Sequence, residues 1–394
     1  MTINMSDLIK KTQNFGVYII SIWLIYLLNL KRINTKPKSL LIIRIDSIGD
    51  YILFRNFLEV LKKNDKFTGY KITLCGNIAW KNLAETFDKE FVDKFVWLNR
   101  NKFYSNPVYK YQILKKIHNS GFEVVINSTY SREILFGDLI VRVSNAKERI
   151  GCSGSPDKHA EWKRNLISDN YYTTLLSSSK DNLFEFYRNK EFFENLLNSK
   201  INIKKPYFNT GGIIVTKIIR DKYVIIVPGA QNKDRIWNTD YFVSVARFII
   251  DNYKMNIIIS GSEKESNLTD LLTSKLNSNS VYNLPREVSL SILIKYIANA
   301  ELLISNETGP VHIAAAVDTP LICISNGNYL GRFNPYPQEI FRNTSYIYPK
   351  EIENLINTDD LKHSNFRFKS KLDINEIKPD RVIAIINKIL NPHA

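Results

Sequence analysis

The chain has 394 residues, 44% hydrophobic and 24% charged, which describes a folded globular protein too long for one ordinary core. Its formal net charge of +15, from 54 basic and 39 acidic residues, asks for an acidic partner such as nucleotide phosphates or anionic lipid. Three widely spaced cysteines (Cys75, Cys152, Cys323) exclude a disulfide framework and a Cys-based zinc site. The five histidines show no paired ligand spacing, so no metal is expected.

Phe15–Leu28 is nearly all apolar, carries Tyr18, Trp23 and Tyr26, and lies between Lys10-Lys11 and Lys31-Arg32. As a helix it would reach ~21 Å, short of the ~30 Å hydrocarbon core. No small-residue cleavage site follows it, which argues against a signal peptide. Seven Lys and Arg precede Asp46 against one acid, Asp7, so anionic lipid explains this charge better than nucleic acid, and no nucleic acid partner is expected. Residues 1–37 are therefore expected to form an amphipathic helix on a membrane surface, followed by a basic linker, with a single membrane span or a helix within the domain as the alternatives. Deletion of residues 1–36 should then release the protein from membranes without abolishing its chemistry.

Leu40–Ile45 reads as a fully buried strand, and Tyr51–Leu61 has helical spacing. Between them, Asp46-Ser47-Ile48-Gly49-Asp50 puts Asp50 at the first turn of a helix, at the strand's carboxyl end. Open α/β sheets bind ligands at that edge. A plain N-terminal helix carboxylate explains Asp50 equally simply, but Gly49 allows close backbone approach and favours a site. Further strands are expected at Lys71–Leu74, Lys94–Leu98 and Glu123–Ile126, giving a βαβ rhythm and a parallel sheet. Gly151–Asp157 is a turn-rich loop, Lys158–Ser179 a surface excursion, and Asp181–Leu197 an amphipathic helix.

A second rhythm starts at the strand Lys222–Val227, which stops at Pro228-Gly229-Ala230. It continues through helix Tyr241–Asn252, strand Met255–Ser260, helix Ser266–Leu276, strand Leu302–Ile304, a helix from Pro310, and strand Leu321–Ser325. Ser305-Asn306-Glu307-Thr308-Gly309 is a small polar turn ahead of that last helix. Its N-terminal N–H groups and macrodipole favour an anion such as phosphate, although an ordinary capped helix has the same pattern. Ile374–Leu390 has helical spacing and is expected to pack back on the first domain.

With Ile43-Arg-Ile-Asp-Ser-Ile-Gly-Asp50, Val227-Pro-Gly-Ala230 with Arg235-Ile-Trp237, and Asn306-Glu-Thr-Gly-Pro-Val-His312 in order, the chain resembles glycosyltransferase family nine over residues 39–340. The resemblance implies an α/β GT-B fold: two Rossmann-like domains with parallel sheets facing across a cleft. The domains would be 38–210 for the acceptor and 211–345 for the nucleotide-sugar, with 346–394 as a C-terminal extension. It also implies inverting, metal-independent sugar transfer from a nucleotide-sugar, typically ADP-heptose, to a lipopolysaccharide-type acceptor, with no cofactor. The protein would be cytoplasmic and peripheral on the bacterial inner membrane.

Asp50 matches the family's catalytic base, needed to take the acceptor hydroxyl's proton. Thr308, Gly309 and Pro310 would meet the diphosphate, with Gly229 in the facing turn. The family has a lysine where Arg235 stands, with Lys233 nearby, and Arg grips phosphate differently from Lys. Glu307 replaces the family's Asp and is expected at donor sugar hydroxyls, which puts heptose specificity in question. Glu265, with Glu263 as the neighbouring choice, would accept from the donor ribose, and His312 is either a structural or a donor-contacting histidine. Arg44, Ser47, Gly49, Asn127 and Arg132 would line the acceptor side. The aromatic loop Gly327–Pro337 departs from the family's usual ending. The rival readings are a nucleotide-sugar epimerase and a non-catalytic sugar-binding protein. The missing G-x-G-x-x-G pattern disfavours a dehydrogenase.

Overall fold

A computed structural model describes residues 5–155, 158–209, 221–357 and 369–391. The expected junction near 210 and the Pro156-Asp157 end of the turn-rich loop lie outside the described residues. The chain forms two compact units. The first comprises Met1–Ser47, Phe57–Lys180 and Arg188–Ile201; the second comprises Ile48–Asn56, Asp181–Tyr187 and Asn202–Ala394. Three segments expected in the first domain, Ile48–Asn56 with Asp50, Asp181–Tyr187 and the stretch from Asn202, therefore group with the second.

The strands of the first unit are β1 (Ser39–Arg44), β2 (Lys71–Asn77), β3 (Lys94–Leu98), β4 (Val124–Asn127), β5 (Glu148–Cys152) and β6 (Thr174–Leu176). They pair in parallel in the order β3-β2-β1-β4-β5-β6. Leu40–Ile43 are fully buried, as a central parallel strand covered on both faces requires. The stretch 158–179 is no mere excursion, because it contains a short helix and the edge strand β6. The helices as far as residue 200 are α1 (Met5–Asn29), α2 (Ile48–Phe54), α3 (Asn56–Lys63), α4 (Lys81–Phe87), α5 (Arg100–Ser105), α6 (Pro107–Ser120), α7 (Leu139–Ser144), α8 (Glu161–Ile167) and α9 (Glu185–Leu197).

The single helix expected at Tyr51–Leu61 is two helices, α2 and α3, with Arg55 between them. There the Asn56 amide exchanges hydrogen bonds of 3.1 and 3.0 Å with the Tyr207 backbone. Arg55 donates to the same carbonyl and lies over the Phe208 ring.

Helix α1 is built into the first unit. Ser21, Ile25 and Leu28 are buried, and the helix packs on α6 and α7. Lys110 of α6 is itself buried and donates to Ser21 Oγ at 2.9 Å; burial pulls its ammonium down to about 8. Tyr104 donates to Asn14 at 2.6 Å, and the His118 ring bonds the Lys31 carbonyl at 3.0 Å. At 3.6 residues per turn, the exposed residues Phe15, Ile19, Ile20, Trp23, Tyr26, Leu27 and Leu30 cover an arc of about 140° opposite the buried face. Deleting residues 1–36 would strip Ile25 and Leu28 from the core, so that deletion cannot test membrane attachment alone. Among the described residues, no helix is long and apolar enough to cross a membrane.

The second sheet contains β7 (Tyr223–Val227), β8 (Asn256–Ile259), β9 (Val281–Asn283), β10 (Leu302–Asn306), β11 (Leu321–Ile324) and β12 (Thr344–Ile347). It is parallel, in the order β12-β11-β10-β7-β8-β9. Around it run α10 (Thr239–Tyr253), α11 (Ser266–Leu276), α12 (Leu290–Ala298), α13 (Gly309–Val317), α14 (Lys350–Asn357) and α15 (Pro379–Leu390). Helix α15, expected to pack back on the first domain, belongs to the second unit. Its Val382 and Ile386 enter the second unit's core with Ile374, Ile377 and Trp237, and α15 lies on α10. Burying that apolar stripe beside β12 satisfies its amphipathic pattern locally.

Candidate active site

The carboxyl ends of β7 and β10 adjoin in the second sheet, so the loops leaving them share one edge. Asn306, the last residue of β10 and fully buried, ties these loops together. Its Nδ2 donates to the Pro228 carbonyl at 2.6 Å, and its Oδ1 accepts from the Trp237 N–H at 3.3 Å. Asn326, just past β11, donates to the Asp234 carbonyl at 3.0 Å. Trp237 itself is fully buried, with its indole N–H on the Ile377 carbonyl at 2.8 Å. The turn carrying Lys233 and Arg235 is thus fixed at both ends by amides that the sequence reading missed. A buried Asn beside a strand end was the available signal.

Glu307 is buried at the start of the turn into α13. Ser325 donates to its Oε2 at 2.7 Å, Asn334 also bonds it, and Arg235 Nη1 lies 3.6 Å from Oε1. Burial raises its carboxyl to about 7, against the lowering effect of Arg235 and the two hydrogen bonds. The Arg235 Nε is buried and has no hydrogen-bond partner among the described residues. Lys233 is exposed in the same turn. Thr308 is the extended N-cap of α13 and makes no side-chain cap, and Pro310 occupies the first helical turn.

Gly229 is required where it stands. A Cβ there would fall 1.9 Å from Glu265 Oε1. The other oxygen of Glu265 closes a capping box, accepting from the Ser262 N–H at 2.7 Å and Oγ at 2.6 Å. Glu265, rather than Glu263, therefore faces the β7 turn.

Asp50 lies in the first turn of α2, and α2 packs on α13 within the second unit. Gly49 sits under the His312 ring: a Cβ would come within 2.5 Å of His312 Cδ2. Gly309 makes the matching approach to Ile48, where a Cβ would be 3.1 Å from Cγ2. The structure thus brings Gly49-Asp50 and Glu307–His312 onto adjoining helix starts. His312 is buried, bonds Tyr336 Oη through Nδ1 at 2.8 Å, and is held neutral by burial, its pKa lowered to about 4.

Three residues expected to line the acceptor side are buried and already engaged. Arg44 is fully buried, with Nε on Asp46 and Nη1 on Asn189, both at 3.0 Å. Arg132 is fully buried and paired with Asp169 through Nη2, while its Nε and Nη1 are buried with no hydrogen-bond partner among the described residues. Asn127 is buried and donates to Tyr172 Oη at 2.8 Å. A guanidinium in an interior needs a counter-charge there, and these two have one. Ser47 is exposed.

Comparison with known proteins gives the family and the fold. The description "Glycosyltransferase family 9 (heptosyltransferase)" matches residues 111–354. No curated protein sequence matches the chain. Among solved structures, the fold resembles a glycosyl transferase family 9 protein from Veillonella parvula at TM-score 0.67 and 14% identity, over 91% of this chain and 98% of that one. It resembles the E. coli heptosyltransferase WaaC, solved with ADP-2-deoxy-2-fluoro heptose, at TM-score 0.64 and 14% identity, over 89% and 99% of the two chains. E. coli ADP-heptose lps heptosyltransferase II gives TM-score 0.59 and 14% identity, over 90% and 100%. These likenesses support a GT-B-type α/β fold. The family match extends over more than half the sequence, and the chain belongs to glycosyltransferase family 9 and is a glycosyltransferase.

Proposed function

We propose that the protein transfers heptose from ADP-heptose, with inversion, to a lipopolysaccharide-type acceptor. The acceptor hydroxyl oxygen attacks the anomeric carbon, the bond from that carbon to the diphosphate breaks, and Asp50 takes the hydroxyl proton. Arg235, Lys233 and the Thr308-Gly309-Pro310 turn receive the departing charge, which calls for no metal. Glu307 meets donor sugar hydroxyls, and Glu265 the ribose. The observation that carries this reading is the contact of Gly49 with His312, which sets the Asp50 helix start beside the Glu307 turn. The ADP and fluoroheptose nucleotide found with WaaC support the choice of donor.

The test has two parts. A panel of nucleotide-sugars should show selective thermal stabilisation by ADP-heptose, ~2.7 kcal/mol at 100 times its dissociation constant. Asp50→Asn should keep that stabilisation while turnover falls at least ~100-fold. Near-wild-type turnover in Asp50→Asn removes the base from its role. Epimerised free nucleotide-sugar, formed without acceptor, would favour the epimerase reading of donor use.

For location, the proposed site is the inner membrane surface, touched by the outward face of α1. Trp23 and Tyr26 are 62% and 60% exposed there, and the exposed Lys31, Arg32 and Lys36 follow. Trp23→Glu with Tyr26→Glu leaves the buried face intact and should abolish co-sedimentation with phosphatidylglycerol vesicles. Unchanged sedimentation would reject the assignment.

A further inference from the structure

The aromatic loop Gly327–Pro337, which has no assigned part in transfer, is largely buried in the second unit. Asn334 is fully buried, donates to the Asn328 carbonyl at 2.7 Å and accepts from Tyr348 at 2.8 Å. It also bonds Glu307. Gly331 takes a left-handed conformation with φ 80°, and a Cβ there would strike Asn182, whose amide donates to the Leu330 carbonyl at 2.8 Å. Arg332 pairs with the buried Glu185 at 2.9 Å. These bonds anchor the loop to the Asp181–Tyr187 segment of the same unit.

Tyr336 projects from this anchored loop. It is 2% exposed and packs against Phe184 and Phe341, with ring centroids 4.8 and 6.0 Å away. Among the described residues its hydroxyl has one hydrogen-bond partner, His312 Nδ1. The far edge of that imidazole rests on Gly49, with Cδ2 2.5 Å and Nε2 2.9 Å from the site of a Cβ. Loop, phenol, imidazole and helix start form one contiguous line. We infer that Tyr336 is a positioning residue: by fixing the His312 ring against Gly49 it sets where the Asp50 carboxylate stands, an assignment that rests on Asp50 being the base.

The chemistry of the line suits the task. Burial keeps the imidazole neutral and the phenol protonated, so their hydrogen bond joins two uncharged groups. A fixed ring with no net charge can hold the Gly49-Asp50 helix start by steric contact. Transfer needs the base within a fraction of an ångström of its working place, and a 1 Å displacement can cost about 100-fold. A phenol removed from a buried site leaves the imidazole nitrogen without its partner, so the ring is free to turn.

The test is Tyr336→Phe, which keeps the ring and deletes the hydroxyl, compared with Gly49→Ala, which drives a methyl into the imidazole. Both should raise amide hydrogen exchange across residues 48–54 at least ~10-fold, while residues 239–253 exchange as in the parent protein. With ADP-heptose as donor, Tyr336→Phe should lower kcat about 10-fold and leave the donor KM within about twofold. Unchanged exchange at 48–54 in Tyr336→Phe would overturn the inference even if no turnover assay were at hand. So would a rise in donor KM matching the fall in kcat, because that is the mark of a donor contact. An inactive Asp50→Asn beside a fully active Tyr336→Phe would sink this inference alone, whereas an active Asp50→Asn would sink the base assignment beneath it.

Discussion

The two sheets have the same number of strands and the same parallel sense, yet their carboxyl ends are finished differently. In the second unit the strand ends carry Gly229, Gly261 and Gly309, and each lies where an added Cβ would crowd a neighbouring side chain. In the first unit the ends of β1 and β4 and the loop after β4 carry Arg44, Asn127 and Arg132, folded inward onto Asp46, Tyr172 and Asp169. The first edge is occupied by two ion pairs and the Asn127–Tyr172 hydrogen bond, although Arg132 keeps Nε and Nη1 without a partner among the described residues. Basic residues at a strand end are thus poor markers of a binding edge, and crowded glycines alone are no better, since Gly76 and Gly151 at the ends of β2 and β5 would set a Cβ 2.3 Å from Trp80 and Tyr172.

Three experiments can break or sharpen that contrast. Arg132→Ala should cause the largest change, about 3 kcal/mol of lost stability, because it strands Asp169 and opens a cavity. A raised acceptor KM with an unchanged Tm would instead return Arg132 to direct acceptor contact. Gly229→Ala should cost ~1–3 kcal/mol by forcing Glu265 aside, and adding Glu265→Ala should recover most of that loss in thermal unfolding. If the double variant is as unstable as the sum of the singles, the close approach is not the cause.

The smallest effect concerns Glu307. Its folded carboxyl is raised to about 7, so it supplies stability below the ordinary carboxylate range that is lost as pH rises through 7. Above 7 its negative charge also opposes a diphosphate. ADP affinity should therefore fall several-fold, ~1 kcal/mol, between pH 6 and 8, and Glu307→Gln should flatten that dependence in titration calorimetry. An equal pH dependence in both proteins would place the titrating group elsewhere.

Much of the architecture was legible because the central strands are unbroken apolar runs, as at Leu40–Ile43 and Leu302–Ile304; the edge strand Lys94–Leu98 and helix Ser266–Leu276 also stand where their patterns put them. The short strands Glu148–Cys152, Thr174–Leu176, Val281–Asn283 and Thr344–Ile347 were not, since three to five residues with polar members carry little periodicity. The turn of Glu307 and the helix start of Asp50 were readable from local strand-turn-helix punctuation. Which arginines face inward was not. Arg44 could be guessed to meet Asp46 two residues on, but its other partner, Asn189, is 145 positions away. The Tyr336–His312 bond has the same character, joining a loop and a helix that no local pattern relates.

The seating of the first helix on the sixth has a consequence for biosynthesis. Ser21 and Lys110 are 89 positions apart, so at ~5–20 residues per second a nascent chain leaves Ile25 and Leu28 uncovered for roughly 4–18 s. During that interval the helix is apolar on nearly every side, and a lipid surface or a chaperone can hold it before its own domain does.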